Sequence, residues 1–236
     1  MRVSANAIFI DDRMVFPSSL CLDDICRMAA RVYANWDHKL ARGLLDYFAL
    51  NPKLCHAHLS RGQKSTVNAI LGLAAHCPLT IFDEPTLGMD FGVRRDFYRA
   101  LLKDYMQHPR SILFSSHMLL EVEDILEDIV LLKDGYKVLH LPLPQLTEYA
   151  VGLAGNSDAL CALTENREVL HTRQISSCFS YVVIKNDLKR GDLQQAQLSG
   201  VDITAVPAAD LCVYLTEQRK GGVDDVFSQT KSVANR

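Results

Sequence analysis

Three short stretches of this sequence hold residue types that can manage a phosphate. LTIFDE (79–84) is an apolar run that stops at two adjacent carboxylates. A hard cation that keeps most of its waters needs only one or two carboxylates once phosphates are present. Asp83 therefore suits Mg²⁺, and Glu84 suits an attacking water. FSSH (114–117) ends a second apolar run on His117, placed to meet a transferring phosphoryl group. HLSRGQKS (58–65) sets Ser60 and Gly62 at a helix start, where free N–H groups and the helix dipole favour anions. Each stretch also has a plain structural reading: a solvated strand end, a helix-start histidine and an ordinary N-cap.

The surrounding pattern is that of strands and helices in alternation. NAIFID (6–11) reads as a short buried strand that ends on Asp11 and Asp12. Over 22–50 the periodicity is helical, with Ile25, Met28, Ala29, Val32 and Tyr33 on one face and Leu40, Leu44, Leu45 and Phe48 on another. Ser60 opens a helix to about Ala75, and 79–82 is a strand. A helix over about 94–106 places Phe97, Leu101 and Tyr105 together. A strand over 111–116 and a helix over 118–126 follow. Such alternation predicts a parallel sheet covered on both faces, with ligands bound beyond the carboxyl ends of its strands. Residues 128–141 alternate around Asp134-Gly135, a two-residue hairpin signal. After Pro142 and Pro144 the chain is more polar, with a strand predicted over 179–184 and an apolar helix or strand near 211–215.

The bulk composition narrows the classes. Of 236 residues 48% are hydrophobic and 22% charged, an ordinary globular balance, and the net charge of −3 gives no electrostatic case for nucleic acid. Seven cysteines without a C-x-x-C pair point to reduced thiols rather than a disulfide frame. The most apolar stretch, 69–82, is interrupted by His76 and Pro78 and is too short to span a bilayer. The N-terminal stretch meets Asp11 and Asp12 before any signal-like apolar core accumulates.

Taken in order, LSRGQ, LTIFDEP, LGMD and SSH resemble the motifs of the ATP-binding cassette (ABC) family, and the resemblance covers about residues 5–141. It implies an α/β fold: a P-loop NTPase-like parallel sheet with helices on both faces, a helical subdomain over about 22–75 and a small α+β extension over 142–236. It implies that Ser60, Arg61, Gly62 and Gln63 of the signature contact ATP, that Asp83 holds Mg²⁺, and that Glu84 and His117 are catalytic. Asp90, in the D-loop, would couple two nucleotide sites, and Asp11 or Asp12 would stand at the Q-loop position, in place of the usual glutamine. The implied partners are a second ABC ATPase subunit, identical or different, and an integral membrane permease. The implied location is the cytoplasmic face of the cell membrane. The stretch 200–217 is similar to the C-terminal extension of exporter-type subunits.

The pattern departs from the family at one decisive point. A P-loop needs glycine followed directly by lysine, and no Gly-Lys pair occurs in the 236 residues. The chain therefore reads as a cassette truncated before its Walker A segment, expected to form a marginal sheet and to be weakly active or inactive alone. An alternative is a non-hydrolysing partner or truncated gene product, whose LSRGQ caps ATP held by another subunit's P-loop. Arg61 replaces the commoner second glycine of the signature, with its side chain expected to point outward.

Overall fold

The computed structural model describes residues 6–216, which divide into two compact units between Ile125 and Leu126. The first unit holds three parallel strands, β1 (Ala7–Ile10), β2 (Leu79–Asp83) and β3 (Ser111–Ser115), in the order β1-β2-β3. Between β1 and β2 run α1 (Leu22–Val32), α2 (His38–Tyr47) and α3 (Arg61–Ala74); α4 (Phe91–Gln107) joins β2 to β3. A single turn, α5 (Leu119–Val122), and a 3-10 turn over Glu123–Ile125 stand where the sequence predicts a longer helix.

The register aligns Ile10 with Phe82 and Phe82 with Phe114, and this row faces the helices. Ile10 and Phe82 are fully buried. Gly72 of α3 comes so close to them that a Cβ there would lie 2.5 Å from the Phe82 ring and 2.9 Å from Ile10 Cγ1. Phe97 of α4 meets Phe82 edge to face at 5.8 Å and stacks with Phe114 at 6.4 Å. Helices α3 and α4 thus pack on the same face.

The neighbouring row, Phe9–Ile81–Leu113, points the other way, and Phe9 and Leu113 are 51% and 58% exposed. The expected cover on both faces is therefore not seen among the described residues. The reason is topological: right-handed crossovers in a monotonic strand order all land on one face. On α1 the predicted apolar face is split, with Ile25 buried and Met28 and Val32 half-exposed.

The second unit begins with a hairpin, β4 (Asp128–Lys133) and β5 (Tyr136–Pro142). Its turn residues Asp134 and Gly135 have φ of 51° and 80°, as a type I′ turn requires. After α6 (Leu143–Thr147) come β6 (Ala150–Asn156), α7 (Ser157–Thr164), β7 (Val169–Gln174), β8 (Phe179–Lys185), α8 (Arg190–Leu198), β9 (Asp202–Ala205) and α9 (Ala208–Thr216). The four strands form an antiparallel sheet in the order β7-β8-β6-β9. Leu153, Val182 and Ile184 pack with Leu160, Leu163 and Ala196 as its core. The predicted strand at 179–184 is β8, and the apolar stretch near 211–215 is helical. All seven cysteines are free. Among the described residues no helix is long and apolar enough to cross a membrane.

Candidate active site

Parallel register brings the carboxyl ends of the three strands into line. Asp83 is paired in register with Ser115, and Asp11 directly follows β1. The Ser115 hydroxyl donates to Asp83 Oδ1 at 2.6 Å and accepts the Glu84 backbone N–H at 2.9 Å. One hydroxyl thereby fixes the side chain of one carboxylate and the main chain of the next.

Glu84 has φ of 46°, a left-handed conformation that is uncommon for a side-chain-bearing residue and typical of functional turns. The turn is held by the Leu87 N–H on the Glu84 carbonyl at 3.1 Å. His117 Nδ1 lies 2.9 Å from each Glu84 carboxylate oxygen. An ionised carboxylate only accepts, so Nδ1 carries the proton between them and Nε2 is left for another partner. The pair is open to solvent, with the side chains 31% and 65% exposed for Glu84 and His117.

The start of α3 forms a second cluster. Ser60 Oγ accepts from Gln63 N at 3.3 Å, and Gln63 Oε1 accepts from Ser60 N at 2.9 Å, a closed capping box. Gly62 is packed against the main chain of the LGMD turn: a Cβ there would sit 2.4 Å from the Gly88 carbonyl oxygen. Gly88 itself has φ of 83° and lies under the aliphatic stem of Arg61. Ser65 Oγ donates to the Leu87 carbonyl at 2.7 Å, a second tie between helix and turn. Asp90 caps α4 by accepting from Val93 N at 2.9 Å.

Arg61 points outward, its side chain 65% exposed, but it is not free of contact. Its guanidinium pairs with Asp12 at 2.9 Å, tying the helix start to the segment after β1. Asp11 accepts from Arg13 N at 3.1 Å, and its carbonyl accepts from Asn68 Nδ2 of α3 at 3.3 Å.

All the residues marked by the sequence except Asp11 thus fall into two groups. Asp83, Glu84 and His117 form one hydrogen-bonded cluster at the strand ends. Ser60, Arg61, Gly62 and Gln63 gather at the α3 start against the turn that ends on Asp90. Asp11 lies with the residues after β1, beside the Asp12–Arg61 pair. Ser115, Ser65 and Asn68 were missed, and of these Ser115 was within reach, because a parallel register of 79–83 on 111–115 places it opposite Asp83.

No protein-family model matches the chain. Among curated relatives it is 25% identical over 166 residues to the ABC transporter ATP-binding protein YtrB of Bacillus subtilis, covering 70% of this chain and 57% of that one. To the arabinose import ATP-binding protein AraG of Chromohalobacter salexigens it is 40% identical over 92 residues, 38% of this chain and 18% of that one. The chain therefore spans less than two thirds of the length of these relatives. A solved ATP-binding subunit of an ABC transporter superposes with a TM-score of 0.55 at 25% identity, over 60% of this chain and 61% of that one. By these matches the chain is similar to the ATP-binding subunits of ABC transporters and has the ABC ATPase fold.

Proposed function

We propose that this chain acts as the ATP-binding subunit of an ABC-type exporter, coupling ATP binding and hydrolysis to transport through a separate membrane subunit. The observation that carries the reading is the Asp83–Ser115–Glu84–His117 network at the carboxyl ends of parallel strands. Glu84 orients or deprotonates the attacking water, and His117, through Nε2, senses the γ-phosphoryl group. Both Glu84 oxygens are engaged by His117 here, so the pair must open for the carboxylate to receive water.

The hard oxygen donor of Asp83 fits Mg²⁺, with Ser115 orienting it; the ion would neutralise charge on the β- and γ-phosphates. Ser60 and Gln63 are satisfied by each other in this state, so capping a partner's ATP requires their box to open.

A lysine-bearing glycine loop is not among the 236 residues. In this reading the main phosphate grip comes from outside them, from the same polypeptide or from a second cassette. A permease at the cytoplasmic face of the membrane would meet the helical segment, where Met28 and Val32 offer apolar surface. Export, rather than import, rests on the similarity of 200–217 to exporter extensions. The arabinose import relative weighs on the other side, so direction has to be read along with turnover.

The test is Mg²⁺-dependent ATP turnover by the complex reconstituted in vesicles, with transport direction followed on both sides. Glu84→Gln is expected to retain ATP binding and to lose turnover by about 10²–10⁴-fold. Unchanged turnover in that variant would overturn the reading. If Ser60→Ala alone impaired the complex, the second reading would stand, in which this chain caps ATP bound by another subunit's P-loop. The lack of a Gly-Lys pair is what favours that second reading.

A further inference from the structure

We propose that the amino-terminal edge of the same sheet holds a second site, a His₂Asp clip for a divalent transition metal of the zinc class. It is made by His76, Asp104 and His108, lies away from the strand ends that carry Glu84, and does not depend on the ATPase reading. His76 lies in the α3–β2 connection, and Asp104 and His108 belong to the last turn and C-cap of α4.

The three ligand atoms lie within 4.8 Å of one another. His76 Nε2 is 2.7 Å from Asp104 Oδ1, His108 Nδ1 is 3.4 Å from the same oxygen, and the rings are 4.2 Å apart. A tetrahedral ion with bonds of about 2.0–2.1 Å keeps its ligand atoms roughly 3.3–3.4 Å apart. The His108–Asp104 spacing already meets this, and the His76–Asp104 spacing has to widen by only about 0.6 Å. Exposed His108 opens the site to water, which completes the four-coordinate set.

Two further observations mark the cluster as built. The other carboxylate oxygen, Asp104 Oδ2, accepts from Arg110 Nη2 at 2.8 Å, and Arg110 is held in turn by Thr80 Oγ1 and the His108 and Leu73 carbonyls. Outer partners of this kind orient a ligating carboxylate and leave Oδ1 for the ion. His76 itself has φ of 42° just past the C-cap of α3, where glycine is the usual occupant. A histidine there is strained, and what distinguishes it from glycine is the imidazole it delivers to Asp104. The Arg110 charge opposes a cation, so the site is expected to bind more weakly than structural zinc sites built on thiolates.

The probes are Co²⁺ and then Zn²⁺, added to chelator-treated full chain. The expected result is one Co²⁺ per chain with visible d–d absorption and no thiolate charge-transfer band, displaced by Zn²⁺. His108→Ala and His76→Gly should each weaken binding by at least about tenfold, the cost of losing even an outer partner. His76→Gly also relieves the backbone, so a folded variant is expected. No binding by the parent, a thiolate band, or binding in either variant unchanged from the parent would overturn the site.

Discussion

Two clusters of histidine and carboxylate lie at opposite edges of one three-stranded sheet, and they are built for different work. At the carboxyl edge the Glu84 carboxylate is paired with His117, and the side chains are 31% and 65% exposed. At the amino edge Asp104 and Arg110 are about 95% buried, and His76 nearly as deep. The same chemical pair is thus an exposed contact at one edge and part of a buried network at the other. The difference comes from backbone connection. The turns after β2 and β3 project beyond the sheet, whereas the amino edge is covered where α3 ends and α4 returns. Exposed pairs add little to stability, and buried ones become critical once a partner is removed.

The comparison breaks most directly at Asp104. In chelator-treated protein, Asp104→Ala leaves the Arg110 guanidinium buried and unpaired, and should cost about 3–5 kcal/mol. His117→Ala, at the open edge, should stay within about 0.5 kcal/mol of the parent. Urea unfolding of the two variants checks both. Equal losses would show that burial does not separate the clusters.

Next in size is Gly62→Ala. The added Cβ meets the Gly88 carbonyl at 2.4 Å, backbone against backbone, so either α3 or the LGMD turn must move. A cost of about 1–3 kcal/mol is expected. By contrast Gly43 has no atom within 4 Å of an added Cβ, and Gly43→Ala in α2 should stabilise by roughly 0.5–1 kcal/mol. Thermal unfolding of the two alanine variants gives the pair of signs.

Much of this was legible in the sequence, and the failures have definite causes. The apolar runs at 79–82 and 111–115 end on charged or polar residues, which fixed the strand ends and hence the cluster of Asp83, Glu84 and His117. Ser60 was legible as an N-cap, and the structure adds Gln63 as the other half of a capping box. The covering of the sheet was misjudged because alternation reports that helices exist, not on which face they land; strand order decides that. The Arg61–Asp12 pair was not foreseen, because Asp12 is 49 residues away in sequence and charge partners at that range are invisible to local patterns. The His76–Asp104–His108–Arg110 network escaped for the same reason. Its members are spread over two connections that only the α3–α4 packing brings together.

Ser115 sharpens the comparison from the functional side. Ser115→Ala removes hydrogen bonds to Asp83 and the Glu84 N–H in an exposed setting, so stability should fall by about 0.5–1.5 kcal/mol. If the hydroxyl positions the carboxylates for turnover, the Mg²⁺ dependence of ATP turnover should shift to higher concentration in the same variant. A loss of stability with an unchanged Mg²⁺ profile would leave Ser115 a strand-end hydrogen bond only.

The smallest effect belongs to the packed region and is read by pH. Asp37 caps α2, and its own N–H donates to the Ala74 carbonyl at the end of α3. Bonds from the Leu40 and Lys39 N–H groups, the former the larger cause, hold its carboxyl below the ordinary value of 3.8, against opposing desolvation. A lowered value means that the folded state binds the proton more weakly than the unfolded chain does. The contribution is therefore complete well above pH 3.8 and is lost as pH falls through the lowered value. Asn caps a helix about as well as Asp, so Asp37→Asn should change stability near neutrality by only a few tenths of a kcal/mol. The variant should flatten the acid limb of the stability curve as pH falls through the ordinary value of 3.8 and below it, since an amide does not titrate. An acid limb identical to that of the parent would mean that the α2 cap does not distinguish folded from unfolded chain, and the acid sensitivity would then have to arise from other carboxylates.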